Sequence, residues 1–202
     1  TLALCLDPER YGQLLDPFGG QADLERGLIR VLHNLSFIED PTRILRAVRF
    51  EQRFGFKIEP RTAQLIGNAL DMVQRVSGER LRHELVLIFD ETEPEKVLAR
   101  LNKLGVLGAI FERLDFTEWH SAKFRAAREM NGHPNALTYL GLLAYHCTPS
   151  VATDFTKRFK LANSDAETIM QVIELREQVS PPLSAETLSP SAIYRWLEDY
   201  AD

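Results

Sequence analysis

The residues with the most chemistry in this 202-residue sequence lie in Glu39-Asp40-Pro41-Thr42-Arg43-Ile44-Leu45-Arg46-Ala47-Val48-Arg49-Phe50. At about 100° per residue in a helix, Arg43, Arg46 and Arg49 share one stripe roughly 120° wide, while Ile44, Leu45, Ala47 and Val48 occupy the other side. Three guanidinium groups so spaced repel one another unless an anion lies over them, and an acceptor such as Asp40 at the helix start holds only one. Periodicity alone leaves two readings open: a solvated basic face with an N-cap, or a nucleotide site. A second cationic cluster, Lys157-Arg158-Phe159-Lys160, offers phosphate-binding charge around an aromatic ring, and reads either as a phosphate and ribose contact or as a solvated helix end. His33, His83, His120, His133 and His146 have no metal-ligand spacing and read as surface or capping residues. Cys5 and Cys147 supply neither a disulfide framework nor a ligand pattern, which suits a reducing cytoplasm.

The elements that position these groups are mostly helical. Residues 2 to 6 and 14 to 15, separated by Asp7-Pro8-Glu9-Arg10-Tyr11-Gly12, predict two short strands joined by a turn, and theirs is the one convincing strand signal. Asp16-Pro17-Phe18-Gly19-Gly20 predicts a loop, and residues 23 to 30 a short helix with acid early and base late. Further helices are predicted near 41 to 54, 60 to 75, 78 to 90, 94 to 104, 117 to 131, 135 to 147, 151 to 160, 165 to 179 and 190 to 201. Their starts are marked by Asp40-Pro41, Ser77 and Ser189-Pro190, and by capping-box patterns at Thr92-Glu93-Pro94-Glu95 and Ser164-Asp165-Ala166-Glu167. Pro181-Pro182 breaks the last connection.

With 45% hydrophobic and 26% charged residues, the chain can bury a real core in one or two soluble domains. A net charge of -5 means that any nucleic-acid contact must come from a local basic face. No apolar stretch approaches membrane-spanning length. Thr1-Leu2-Ala3-Leu4-Cys5-Leu6 reads as a strand already under way, so the chain is expected to begin inside a domain.

Asp16-Pro17-Phe18-Gly19-Gly20, with Asp23-Leu24 and Leu28-Ile29-Arg30, resembles the third motif of class II tRNA nucleotidyltransferases, the family of CCA-adding enzymes, A-adding enzymes and poly(A) polymerases. Glu39-Asp40-x-x-Arg43, continuing through Arg46-Ala47-Val48-Arg49-Phe50 and Phe54-Gly55-Phe56, resembles the fourth, and Ser77-Gly78-Glu79-Arg80 with Glu84-Leu85 the fifth. The resemblance implies a mostly α fold: a small β-hairpin remnant of the nucleotidyltransferase head over 1–32, a helical neck and body over 33–115, and a helical body and tail over 116–202 that carries RNA-binding residues. It further implies that Asp40 and Arg43 read the base of an incoming CTP or ATP, that Arg46 and Arg49 support the nucleotide, and that Arg80 and Glu84 brace the neck. The implied partners are a tRNA or other RNA 3′ end, ATP and CTP; the basic cluster itself makes Lys157, Arg158 and Lys160 the candidate RNA contacts, and the expected place is the cytoplasm.

Base chemistry agrees with the assignment. A carboxylate accepts from an exocyclic amino group, which cytosine and adenine carry, and an arginine donates to ring nitrogen or carbonyl acceptors on the same edge. Uracil and guanine present a carbonyl where Asp40 needs a donor, leaving a charge unpaired. The Gly-Ser loop and Asp-x-Asp pair that hold Mg2+ in such enzymes are not found in this sequence, and Asp16 and Asp23 are too far apart to replace them, so no metal ligand or catalytic residue is assigned and the chain alone is expected to be inactive. Two alternatives stand beside a CCA-adding or A-adding enzyme: a poly(A) polymerase or modular A-adding enzyme, and a non-catalytic helical RNA-binding or interaction module.

Overall fold

A computed structural model of the chain describes residues 2–179 together with Ser191 and Tyr194. It divides into two compact units, residues 1–121 and 122–202. The helix expected over 190–201, the Pro181-Pro182 break, Trp196 and Tyr200 lie outside the described residues.

The first unit opens with two short strands, β1 (Ala3–Leu4) and β2 (Leu14–Leu15), paired antiparallel with Ala3 opposite Leu15. Their connection is a 3-10 turn over Pro8–Arg10, whose start is capped by the Asp7 carboxylate accepting from the Glu9 amide at 2.9 Å. Leu4, Leu14 and Leu15 are exposed, so neither face of this ribbon is covered.

Helix α1 (Gly20–Glu25) follows. Asp16 caps it from the preceding loop, one carboxylate oxygen accepting from the Gly20 amide at 2.7 Å and the other from the Gln21 amide at 2.9 Å. The helix expected over 23–30 is not formed: the chain turns at Gly27, with φ +63°, and Leu28–Ile29 becomes strand β3. Its partner, β4 (Lys57–Ile58), runs parallel to it, with Lys57 N donating to Gly27 O and Glu59 N to Ile29 O. Two-residue strands paired across such a separation leave no alternation for a sequence pattern to show.

Between them stand α2 (Ser36–Glu39) and α3 (Thr42–Phe54). Ile44, Leu45 and Val48 of α3 are completely buried, and α3 packs against α6 (Gly78–Phe89) and α7 (Pro94–Lys103). Gly55, in the left-handed region at φ +64°, ends α3, with Phe56 N returning to Glu51 O as a helix-terminating bond. The single helix expected over 60–75 is two, α4 (Pro60–Asn68) and α5 (Leu70–Gln74), separated at Ala69 just after the weak helix formers Gly67 and Asn68. Ser77 caps α6 as expected, whereas α7 starts after Glu93 with no side-chain cap, so the box expected at Thr92 does not form. The sequence reading has no counterpart to α8 (Val106–Ile110), a five-residue helix that begins after Gly105 at φ +76° and packs on α5 and α7.

Helix α9 (Glu118–Asn131) starts in the first unit and continues into the second. His120, the one buried histidine among the described residues, accepts at Nδ1 from the Thr117 amide at 3.1 Å and so closes the first turn of α9. The second unit adds α10 (Ala136–Ala144), α11 (Pro149–Arg158) and α12 (Asn163–Val179). Its core includes Phe124 stacked on Tyr139 at 4.6 Å and Phe155 against Phe159 at 4.7 Å. Arg176 of α12 donates to the carbonyls of Tyr145 and Cys147, satisfying backbone acceptors at the end of α10.

Candidate functional site

The start of α3 is built around Asp40. Its Oδ1 accepts from the Thr42 amide at 3.1 Å, the Thr42 hydroxyl at 2.7 Å and Nη2 of Arg80 at 2.8 Å. The helix is therefore capped by Asp40 as the sequence suggested, although its first residue is Thr42 rather than Pro41. Partial burial pushes the Asp40 carboxyl upward, but the Thr42 hydroxyl and amide and the Arg80 guanidinium outweigh it and hold the group below the ordinary carboxylate value. Its Oδ2 makes no hydrogen bond among the described residues, and Nε of Arg43 lies 4.0 Å from it. Arg43 is steadied separately, with Nη1 donating to Ser36 O at 3.3 Å and lying 3.7 Å from Glu39.

Arg43 and Arg46 both face solvent, and Arg46 has no hydrogen-bond or ion-pair partner among the described residues. Arg49 differs. It is 8% exposed, its Nη1 reaches Glu91 at 3.3 Å, and its Nε is buried without a partner. The expectation of three arginines on one open stripe is corrected for this residue. Four residues after Leu45, Arg49 lies only about 40° from it around the helix and shares its buried side, whereas Arg46 is about 100° away. The exposed basic row continues instead at Arg53, which grips Glu91 through two bonds at 2.9 and 2.6 Å. Both guanidinium groups flank the Phe50 ring, at 4.9 and 5.8 Å from its centroid.

Two carboxylates missed from the sequence hold α3 in place. Glu91 receives Arg49 and Arg53. Glu51 is buried and accepts from Arg100 of α7 at 2.8 and 3.2 Å and from the Ile58 amide at 3.1 Å. A signal for Glu51 was present: at i+7 from Ile44 it falls about 20° from that residue, inside the apolar sector, where a charge has to be paired. A 320 Å³ cavity lies beside the far end of the helix, lined by Phe50, Phe54, Phe56, Phe18, Leu24 and Leu32 among others.

No group of three or more His, Cys, Asp or Glu among the described residues is placed to hold a metal ion. Asp16 is committed to capping, where the Gln21 and Gly20 amides hold its carboxyl below the ordinary value, and Asp23 pairs with Arg30 at 3.0 Å. A divalent ion therefore does not fit these residues.

At the other cluster, Lys157 and Lys160 are exposed and Arg158 is half-buried, which pushes its guanidinium pKa down. Phe159 is completely buried against Phe155, so of the two readings of this cluster a ribose contact by the ring is not available: the aromatic belongs to the core. Lys160 adopts φ +48° at the end of α11, with Leu161 N bonded to Thr156 O in a helix-ending turn.

Sequence and structure comparisons show what the chain is similar to. A family described as "Probable RNA and SrmB- binding site of polymerase A" matches residues 55–117. An A-adding tRNA nucleotidyltransferase of Geobacter sulfurreducens is 53% identical over 109 residues, covering 53% of this chain and 12% of that protein. A CCA-adding enzyme solved with ATP superposes with a TM-score of 0.85 at 32% identity, covering 97% of this chain and 49% of that one. The Thermotoga maritima CCA-adding enzyme complexed with tRNA gives a TM-score of 0.75 at 32% identity, over 97% of this chain and 53% of that one. The chain thus spans about half the length of these solved structures.

Proposed function

The chain belongs to the class II tRNA nucleotidyltransferase family, and we propose that it supplies the nucleotide-selecting neck and an RNA-binding part of an enzyme that adds AMP, or CMP and AMP, to tRNA 3′ ends without a nucleic-acid template. The observation that carries this reading is the open end of α3. Asp40 presents an uncommitted Oδ2 beside Arg43, and Arg46 stands exposed one turn further along. Oδ2 accepts from the exocyclic amino group of cytosine or adenine, Arg43 donates to the neighbouring ring acceptor, and Arg46 meets the anionic part of the nucleotide. Arg49 supports the nucleotide indirectly, by fixing α3 through Glu91. The metal, Mg2+, and its Asp-x-Asp ligands belong to a head region of the enzyme, which would also cover Leu4, Leu14, Leu15 and Phe18. Such an enzyme works in the cytoplasm, on tRNA.

The test joins this chain to the head region of a CCA-adding or A-adding relative and supplies a tRNA lacking its terminal nucleotides. The fusion is expected to incorporate AMP, or CMP and AMP, with Mg2+, and the 202-residue chain alone to incorporate neither. Incorporation by the chain alone, or a correctly folded fusion that binds nucleotide yet shows no preference among bases, overturns the reading. The match of residues 55–117 to a family described for polymerase A favours a second reading, a poly(A) polymerase, and a long A tract on the product would identify it.

In the second unit we assign RNA backbone contacts to Lys157, Arg158 and Lys160. Replacing them with Glu is expected to weaken tRNA binding and to reduce the slope of log K against log salt by roughly one unit for each phosphate no longer neutralised. Filter binding between low and moderate salt measures it, and an unchanged slope returns the cluster to solvated surface.

A further inference from the structure

Asp40 has two oxygens, and all three of its donors converge on one of them. The Thr42 amide and hydroxyl belong to a residue two positions along the same chain and would follow the helix start wherever it moved. Arg80 is different, because it reaches the carboxylate from α6 and ties it to a separate helix. Arg80 is itself held at the start of α6, since its amide donates to the Ser77 cap at 3.4 Å. The same Nη2 lies 3.4 Å from the Thr42 hydroxyl, so one guanidinium arm spans both members of the cap. A carboxylate held only by Thr42 could swing about its last torsion and change the direction in which its free oxygen points, because such sp3–sp2 torsions are broad. With Arg80 on Oδ1, only Oδ2 is left, on the side where Arg43 stands.

We propose that Arg80 is a positioning residue for base selection, which touches no part of the nucleotide but fixes the direction in which the free oxygen of Asp40 meets the base. The proposal rests on the reading of Asp40 as the base acceptor. Selection between an amino-bearing and a carbonyl-bearing base is a matter of direction: an acceptor aimed at the exocyclic position rewards N–H and penalises C=O, while a carboxylate free to turn can move away from the carbonyl and so loses its power to reject. Removing Arg80 is therefore expected to act on the ratio between nucleotides more than on turnover itself. Lysine keeps a cationic donor directed at Oδ1 but not the rigid planar group that fixes the direction of that donor.

The experiment uses a complete nucleotidyltransferase containing this chain, with Arg80→Ala, Arg80→Gln, Arg80→Lys and Asp40→Ala compared for ATP, CTP, GTP and UTP. Arg80→Ala is expected to lower the ratio of kcat/KM for ATP over GTP by roughly five- to tenfold, the lower end of the worth of a directed base contact, chiefly by raising kcat/KM for GTP. Arg80→Lys should recover part of the ratio. Arg80→Gln, whose neutral N–H donor sits two bonds closer to the backbone and stops short of Oδ1, provides a second measurement if the alanine variant does not fold. Combining Arg80→Ala with Asp40→Ala should cost no selectivity beyond Asp40→Ala alone, since both act through one group. If Asp40→Ala loses selectivity while every folded Arg80 variant keeps it, or loses rate equally for all four nucleotides, the positioning role is overturned and the reading of Asp40 stands. If Asp40→Ala itself stays selective, both fall.

Discussion

Asp40→Ala, made in a complete nucleotidyltransferase containing this chain, is expected to erode discrimination against UTP and GTP by about 1 to 3 kcal/mol, the usual worth of a bidentate base contact. Incorporation of the correct nucleotide should fall with it. Arg43→Ala should have a similar effect, and the double variant should lose much less than the sum, because the two groups meet one base edge as a unit. The capping role predicts something separate. Through Oδ1, Asp40 satisfies the Thr42 amide, so its loss also costs about 0.5 to 2 kcal/mol of stability. The two roles use different oxygens and can coexist. Melting temperature and four-nucleotide incorporation measured on the same variants separate them, and a protein that is less stable but equally selective would falsify the base-reading role.

A larger effect on folding is expected at Glu51. Its carboxylate is buried in the face of α3 that packs on α7, and it accepts from Arg100 and from the Ile58 amide that enters β4. Glu51→Ala strands both donors at once. Breaking a buried pair from one side costs about 3 to 5 kcal/mol, and the partial exposure of Arg100 places the expectation at the lower end of that range. Glu51→Gln retains an acceptor for the Ile58 amide but turns an amide group toward Arg100, so it should fall between wild type and alanine. Denaturant unfolding of the chain, with Arg100→Ala completing a double-mutant cycle, gives the coupling directly. A loss below about 1 kcal/mol would mean that the pair behaves as an ordinary surface bridge. Because Glu51 and Glu91 fix the far half of α3, Glu51→Ala should disturb nucleotide use only through the position of the helix, lowering rates for all nucleotides together.

These residues also mark how much could be read from the chain before its fold was known. The cap at Asp40, the helical register of Ile44, Leu45 and Val48 and the solvent-facing placement of Arg43 and Arg46 follow from local rules: capping chemistry and the helical period act over a few residues, and the sequence carries them in full. The three motifs in order likewise lie in the linear sequence. Arg49 could not be placed in this way, because the difference between an exposed and a buried arginine about 40° from Leu45 depends on where α6 and Glu91 lie. The parallel pairing of Leu28–Ile29 with Lys57–Ile58 was equally illegible, since two-residue strands have no period and their bonds join distant segments. Phe159 shows the same limit in the second unit: its basic neighbours suggested a contact for RNA, and its packing on Phe155 put it in the core. The grip of Arg80 on one oxygen of Asp40 spans 40 positions, so the sequence determined that both residues were present, while the packing of α6 beside α3 decided how the carboxylate is turned.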